Sequence, residues 1–154
     1  RRDPMNLPDP LLVTHALASV SLVGLIWTIQ LVHYPLFLRV PPEAFAGYET
    51  EHMRRITWLV GPLMLLEAGS TILVTLRYPE SALVWIGAAL LILIWVLTAT
   101  VQGPLHTRLA RDGFDEVRIR LLVRSNWART IAWSIRGVIA LLILGAEDVF
   151  LVTP

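Results

Sequence analysis

Four apolar stretches, each about as long as a lipid bilayer is thick, constrain this chain more than any other feature. Leu11 to Val32, Ile56 to Leu76 and Ser81 to Val101 each run for 21 or 22 residues, and Thr130 to Ala146 forms a shorter fourth. A helix needs roughly 20 apolar residues to cross the ~30 Å hydrocarbon core. A soluble domain of 154 residues has no use for four of them. The sequence therefore predicts an all-α polytopic membrane protein. It is read as a single four-transmembrane-helix bundle with helices over residues 11–34, 43–76, 81–102 and 126–151 and helical extensions into the cytoplasm. Charged residues are only 16% of the chain, against about 25% in globular proteins. The first stretch is too long for a signal-peptide core and lacks a clear small-residue cleavage site, so it is read as retained. Residues ahead of Met5 carry no weight here.

The basic residues are all arginine, a pattern of GC-rich bacterial genomes, and their placement gives an orientation. Arg39, Arg54 and Arg55 lie between the first two helices, and Arg108, Arg111, Arg118, Arg120, Arg124 and Arg129 between the last two. Only Arg1, Arg2 and Arg77 fall on the other side, where Glu147 and Asp148 also lie. The positive-inside rule then puts the first and third loops in the cytoplasm and both termini outside, in a bacterial inner membrane. Pro35 is expected to close the first helix, Pro41-Pro42 to open the second, and Tyr78-Pro79 to make a tight outer turn. Gly61-Pro62 is the expected site of a kink. After a turn at Gly113, Glu116 to Ser125 reads as an amphipathic helix with Val117, Leu121, Leu122 and Ser125 inward and Arg118, Arg120 and Arg124 toward water or headgroups.

Polar residues inside such helices cost about 2.5–3.5 kcal/mol each on insertion scales, so they face an interior and have a role there. They concentrate at one depth. Trp27, Gln30 and His33 are spaced by three at the end of the first helix. Glu49, His52 and Glu67 lie on the second; eighteen residues is five full turns, which puts Glu49 and Glu67 on one face. Thr98, Gln102 and His106 follow at steps of four, and Asn126, Arg129, Trp133 and Arg136 at steps of three or four, again one face each. Glu67 and Arg136 are the deepest. They read as a buried ion pair that sets helix register, or as a protonatable carboxylate or anion clamp under a cavity, and one pair can serve both roles. A faint internal repeat links Gln30, His33 and Pro35-Leu36 with Gln102, Pro104-Leu105 and His106, as though the two helical hairpins were related halves.

His33, His52 and His106 fall near one boundary on three different elements, and Glu49 stands three residues before His52. Three imidazoles and a carboxylate suit a transition metal such as zinc, copper or iron, and two histidines from different helices suit haem. The alternative is interfacial anchoring of each histidine at headgroup level. His15, near the far end of the first helix, is read as interfacial. Trp127 and Trp133, beside Arg129 and Arg136, suit a flat or anionic ligand, although an interfacial belt is the leading account of tryptophans at these depths. The absence of cysteine excludes disulfides, thiolate metal sites and iron–sulfur clusters. No phosphate loop, nucleophile elbow or His-Glu-x-x-His motif is present. So few arginines, lying at a membrane surface, do not make a nucleic-acid site.

The runs Trp27-x-x-Gln30-x-x-His33-Tyr34-Pro35, Gln102-Gly103-Pro104-Leu105-His106 and Asn126-Trp127 through Arg129, Trp133 and Arg136 together resemble a family of small bacterial four-helix membrane proteins. In size and helix plan the chain is also loosely similar to anthrone-oxygenase-like membrane proteins and to haem-dependent protoporphyrinogen oxidases. The latter resemblance implies a haem-ligating histidine in the first helix and a lysine in the third; the chain has His15 and His33 but no lysine. The expectation is an inner-membrane protein with a polar cavity at the cytoplasmic side. Its leading reading is a metal- or haem-assisted oxidoreductase acting on a lipophilic or planar small molecule, with a non-enzymatic carrier or lipid-binding module as the alternative. His33, His52 and His106 would be metal ligands, and Glu49 and Glu67 the acid–base groups. Gln30, Gln102, Asn126, Trp127, Arg129, Trp133 and Arg136 would line the ligand site. The bilayer is the certain partner of such a chain, and a second copy of it is the other partner a bundle of this kind can take.

Overall fold

A computed structural model describes residues 8–146 of the chain. Four long helices account for nearly all of them: α1 Pro10–Arg39, α2 Pro42–Arg77, α3 Ala82–Asp112 and α4 Glu116–Gly145. All four are long and apolar enough to span a membrane. At ~1.5 Å per residue, 30 residues reach about 45 Å, well beyond a ~30 Å hydrocarbon core. The surplus gathers where the α1–α2 and α3–α4 turns meet, at the arginine-rich end of the bundle. Glu147 and Asp148, like Arg1 and Arg2, lie outside the described residues.

Local signals explain the helix ends. Asp9 caps α1 by accepting from Leu11 N at 2.8 Å, with Pro10 in the first turn, and also forms an ion pair with Arg77 at the end of α2. Asp115 caps α4 through Arg118 N at 3.0 Å. Gly113 ends α3 at φ +86, a conformation that a side chain disfavours. Three expected boundaries move. Pro35 does not close α1, and Gly103-Pro104 does not close α3, because each proline is preceded by a π-helical turn, Ile29–His33 and Thr98–Gln102. Proline clashes with the carbonyl four residues back; the wider turn, closed by Tyr34 N to Ile29 O and by Gly103 N to Thr98 O, takes up one extra residue and lets the helix continue. The two π turns lie 69 residues apart, and each runs into a residue followed by Pro-Leu. The matching ends of the two hairpins thus share a local structure. The third boundary is at residue 126: Glu116 to Ser125 is the first part of α4 and not a separate surface helix. Its inward face is Ile119 and Leu122, while Val117 and Leu121 are exposed, contrary to the amphipathic reading.

α1 and α4 form the central pair, with 44% and 50% of their most apolar windows buried, against 28% and 22% in α2 and α3. Apolar and polar layers alternate along the bundle. Leu12, Val74, Val84, Ile139 and Ile143 pack at the end near the termini. Leu22, Ile26, Met64, Ile94, Ala132 and Trp133 pack in the middle. Phe37, Phe45, Leu105, Leu109, Ile119 and Leu122 pack at the arginine-rich end. Between these layers lie two polar ones, and the outward surface is apolar along the spans, with Leu17, Leu65, Leu73, Ile92 and Val138 exposed as lipid-facing residues are.

Candidate ligand site at the arginine-rich end

The deeper polar layer is closed on itself. Glu67 Oε1 accepts from Arg136 Nε at 2.9 Å and from Ser19 Oγ at 3.1 Å, and Oε2 accepts from Trp133 Nε1 at 3.1 Å. Arg136 also donates to Thr71 Oγ1 at 2.9 Å and to the Gly87 carbonyl. All four helices meet here, and Glu67 and Arg136 are buried. No polar side-chain atom of this layer lacks a partner, and neither residue lines one of the larger cavities. One turn nearer the termini, His15 Nδ1 meets Ser70 Oγ at 3.2 Å, inside the bundle and not at an interface. The pair expected from sequence exists, and its geometry is that of a clasp between helices.

The second polar layer differs. Glu49, buried on α2, accepts from His106 Nδ1 on α3. In a neutral imidazole that bond leaves His106 Nε2 as the acceptor for Tyr34 Oη of α1, 2.8 Å away. The Arg129 guanidinium from α4 sits against the same Tyr34 hydroxyl and over the Trp133 ring, its carbon 5.1 Å from the centroid. A carboxylate, an imidazole, a phenol and a guanidinium from four helices thus form one row. Beside it His33 Nε2 and His52 Nδ1 share a hydrogen bond at 2.8 Å, and the His52 and His106 rings are 5.4 Å apart. On the other flank Gln30 donates to the Val123 carbonyl and accepts from Asn126 Nδ2 at 2.9 Å, while Gln102 Nε2 donates to Ser125 Oγ at 3.0 Å.

The three histidines converge, but His33 Nε2 and His52 Nδ1 bond each other, and both His106 nitrogens are taken by Glu49 and Tyr34. Among the described residues no group of three or more His, Asp or Glu side chains is arranged to hold a metal ion. Trp27 does not share the face of Gln30 and His33. Gln30, within the π turn, is buried, while Trp27, ahead of it, is exposed, donates to Ser134 Oγ at 3.0 Å and meets Trp127 edge-on at 5.6 Å. Both tryptophans lie on the lipid-facing side, in the manner of a belt. Tyr34, central to the row, is the residue that a search for charges and histidines passes over. A phenol beside His33 that must be buried and hydrogen-bonded was the available signal.

This layer leaves buried polar atoms unpartnered: Glu49 Oε2, His52 Nε2, Gln102 Oε1, Asn126 Oδ1 and Arg129 Nε. Two cavities reach it from either side of α2. One, of about 500 Å³ between α1 and α2, is lined by Leu25, His33, Tyr48, His52, Arg55 and Leu59. The other, of about 490 Å³ between α2 and α3, has Met64, Leu65 and Trp95 toward the middle of the bundle and Tyr34, Gln102, His106 and Arg129 at its polar end. Ile29 and Ile56 line both. Polar side chains gathered at one end of an apolar cavity of this size are the features of a small-molecule site. Set beside known protein families, curated proteins and solved structures, the chain matches none of them.

Proposed function

We propose that the protein binds a lipid-soluble small molecule in the cavity between α2 and α3 and moves protons on it through the row Tyr34–His106–Glu49. The observation that carries this reading is the contrast between the two polar layers: one has every group paired, while the other leaves five buried atoms on three helices unpartnered, with Gln102 and Arg129 among the residues lining the cavity. Tyr34 lines that cavity. His106 can take its proton, Glu49 stabilises the resulting imidazolium, and Arg129 stabilises the phenolate, so each partner is suited to acid–base work. The apolar wall opens between helices, toward the bilayer in which such a ligand dissolves. Protein reconstituted in nanodiscs and extracted with solvent should release a near-stoichiometric small molecule, and Ala99→Trp, which fills the cavity, should abolish it. A wild-type protein that carries nothing, and is stabilised by no lipophilic compound in a thermal-shift panel, would count against a ligand site.

A metal-assisted oxidoreductase in a bacterial inner membrane, with the arginine-rich end in the cytoplasm, is the second reading. It is favoured by the 2.8 Å approach of His33 Nε2 to His52 Nδ1, close to the roughly 3 Å that separates two nitrogen ligands on one ion with ~2 Å bonds. Elemental analysis and the visible spectrum test it directly: near-stoichiometric metal, or a haem Soret band, selects this reading. If Tyr34→Phe and His106→Asn leave ligand uptake and ligand chemistry unchanged, the protein is a carrier and not an enzyme.

A further inference from the structure

The α1–α2 cavity is polar at one end and apolar at the other. Tyr48, Glu51 and Arg55 line it toward the arginine-rich turns, and Leu25 and Leu59 toward the middle of the bundle. Arg54 and Arg55 directly precede Ile56, where the apolar stretch of α2 begins. The polar end thus stands where headgroups give way to hydrocarbon. From Glu51 to Leu59 the helix rises roughly 12 Å, so the other end lies among the acyl chains.

Charge is uneven at the polar end. Arg54 donates to Glu51 through Nε at 2.9 Å and Nη2 at 2.7 Å, and Arg55 Nε donates to the same carboxylate. One carboxylate answers two guanidinium groups, so one positive charge is left over, and both arginine side chains are exposed with donors to spare. Around the α3–α4 turn the count is even: Arg111, Arg118 and Arg120 face Asp112, Asp115 and Glu116. Arg39, Arg108 and Arg124 are exposed and line neither large cavity. Among the described residues, surplus surface charge and a large apolar cavity coincide only here.

We propose that the α1–α2 cavity holds one acyl chain of an anionic phospholipid whose phosphate sits on Arg54 and Arg55. The phosphodiester supplies the missing negative charge and takes a guanidinium through two oxygens. A basic pocket between membrane helices suits such a headgroup. A zwitterionic headgroup brings its own cation and leaves the surplus uncorrected. The chain covers the wall from Ile56 down to Leu25 and Leu59. Glu51 competes with the phosphate for the same donors and so weakens the site. This lipid lies on the other side of α2 from the ligand proposed above and does not depend on it.

Native mass spectrometry tests this with protein released from mixed micelles of phosphatidylglycerol and phosphatidylcholine, in equal amounts and with matched chains. Phosphatidylglycerol should be retained about tenfold more often, the equivalent of one charge-assisted hydrogen bond. Arg54→Gln with Arg55→Gln should abolish that preference. Arg108→Gln with Arg124→Gln, which removes the same charge away from the cavity, should keep it. Glu51→Gln frees both guanidinium groups and should raise retention of phosphatidylglycerol. Thr28→Trp and Leu59→Trp, at exposed positions on the cavity wall, should lower it by blocking the chain. Inorganic phosphate at matched ionic strength should not displace the lipid. Equal losses in the two arginine doubles would reduce the effect to general surface charge and overturn the proposal. Displacement by phosphate would overturn it in favour of an anion site without a chain, and lipid retained unchanged in both tryptophan variants would overturn it by placing the chain outside the cavity.

Discussion

Breaking the Glu67–Arg136 clasp provides the sharpest test of how this bundle is held together. Glu67→Gln keeps shape but leaves one acceptor where three donors converge: Ser19 and Arg136 on Oε1, Trp133 on Oε2. If the amide oxygen stays with Arg136, the NH₂ faces the Trp133 N–H, and an unpaired buried donor costs about 1–3 kcal/mol. Arg136 also loses its counter-charge, and removing one member of a buried pair costs about 3–5 kcal/mol in all. Arg136→Met should cost a similar amount, since it leaves the carboxylate unneutralised and the Gly87 carbonyl and Thr71 hydroxyl without their donor. The double variant is different. With the guanidinium gone, the substituted amide can turn its oxygen to Trp133 and its NH₂ to Ser19, so no charge is stranded. The double should be no worse than the larger single, a coupling of about 3 kcal/mol, well above the ~0.6 kcal/mol average for hydrogen bonds between membrane helices. Reversible unfolding in mixed micelles gives all four corners of the cycle. Losses that add to within ~0.5 kcal/mol would refute the reasoning.

Other perturbations have equally definite outcomes. With no native cysteine in the chain, single cysteines at Glu80 and Asp112 should react with an impermeant reagent from opposite sides of the membrane, Asp112 from the cytoplasm; reaction from one side would end the proposed orientation. A Cβ at Gly137 would lie 2.7 Å from Val23 Cγ2, and a β-branched side chain on a helix turns with difficulty. Gly137→Ala should therefore destabilise by about 1–3 kcal/mol and be relieved by Val23→Ala, as measured by thermal unfolding of the single and double variants. Asp9→Ala should cost about 1 kcal/mol by loss of the cap on Leu11 N, whereas Asp9→Asn, which caps without charge, should stay near wild type; equal losses in the same unfolding assay would assign the effect to the Arg77 ion pair.

Much of this architecture is legible along the chain because a bilayer allows few solutions. Apolar runs of about 20 residues can only be helices there, since backbone groups find no water to bond, and four runs make four spans. The partnership of Glu67 and Arg136 is similarly forced: hydrocarbon tolerates neither alone, and each is the deepest charge on its helix. The helix faces that carry Glu49, His52, Gln102, His106, Asn126 and Arg129 also follow from periodicity. Tertiary structure decided the rest. Proline reads as a stop in sequence, yet a π turn costs little when neighbouring helices hold the chain on course, so α1 and α3 run past Pro35 and Pro104. Nor does periodicity say which polar groups of one layer meet. Spacing brings three histidines to one depth; only packing pairs His33 with His52, gives His106 to Glu49 and Tyr34, and leaves Gln102 and Arg129 with atoms to spare. Partners across a bundle are chosen by helix rotations of a few tens of degrees, and a one-residue insertion such as a π turn changes those by more than the spacing of a sequence motif can register.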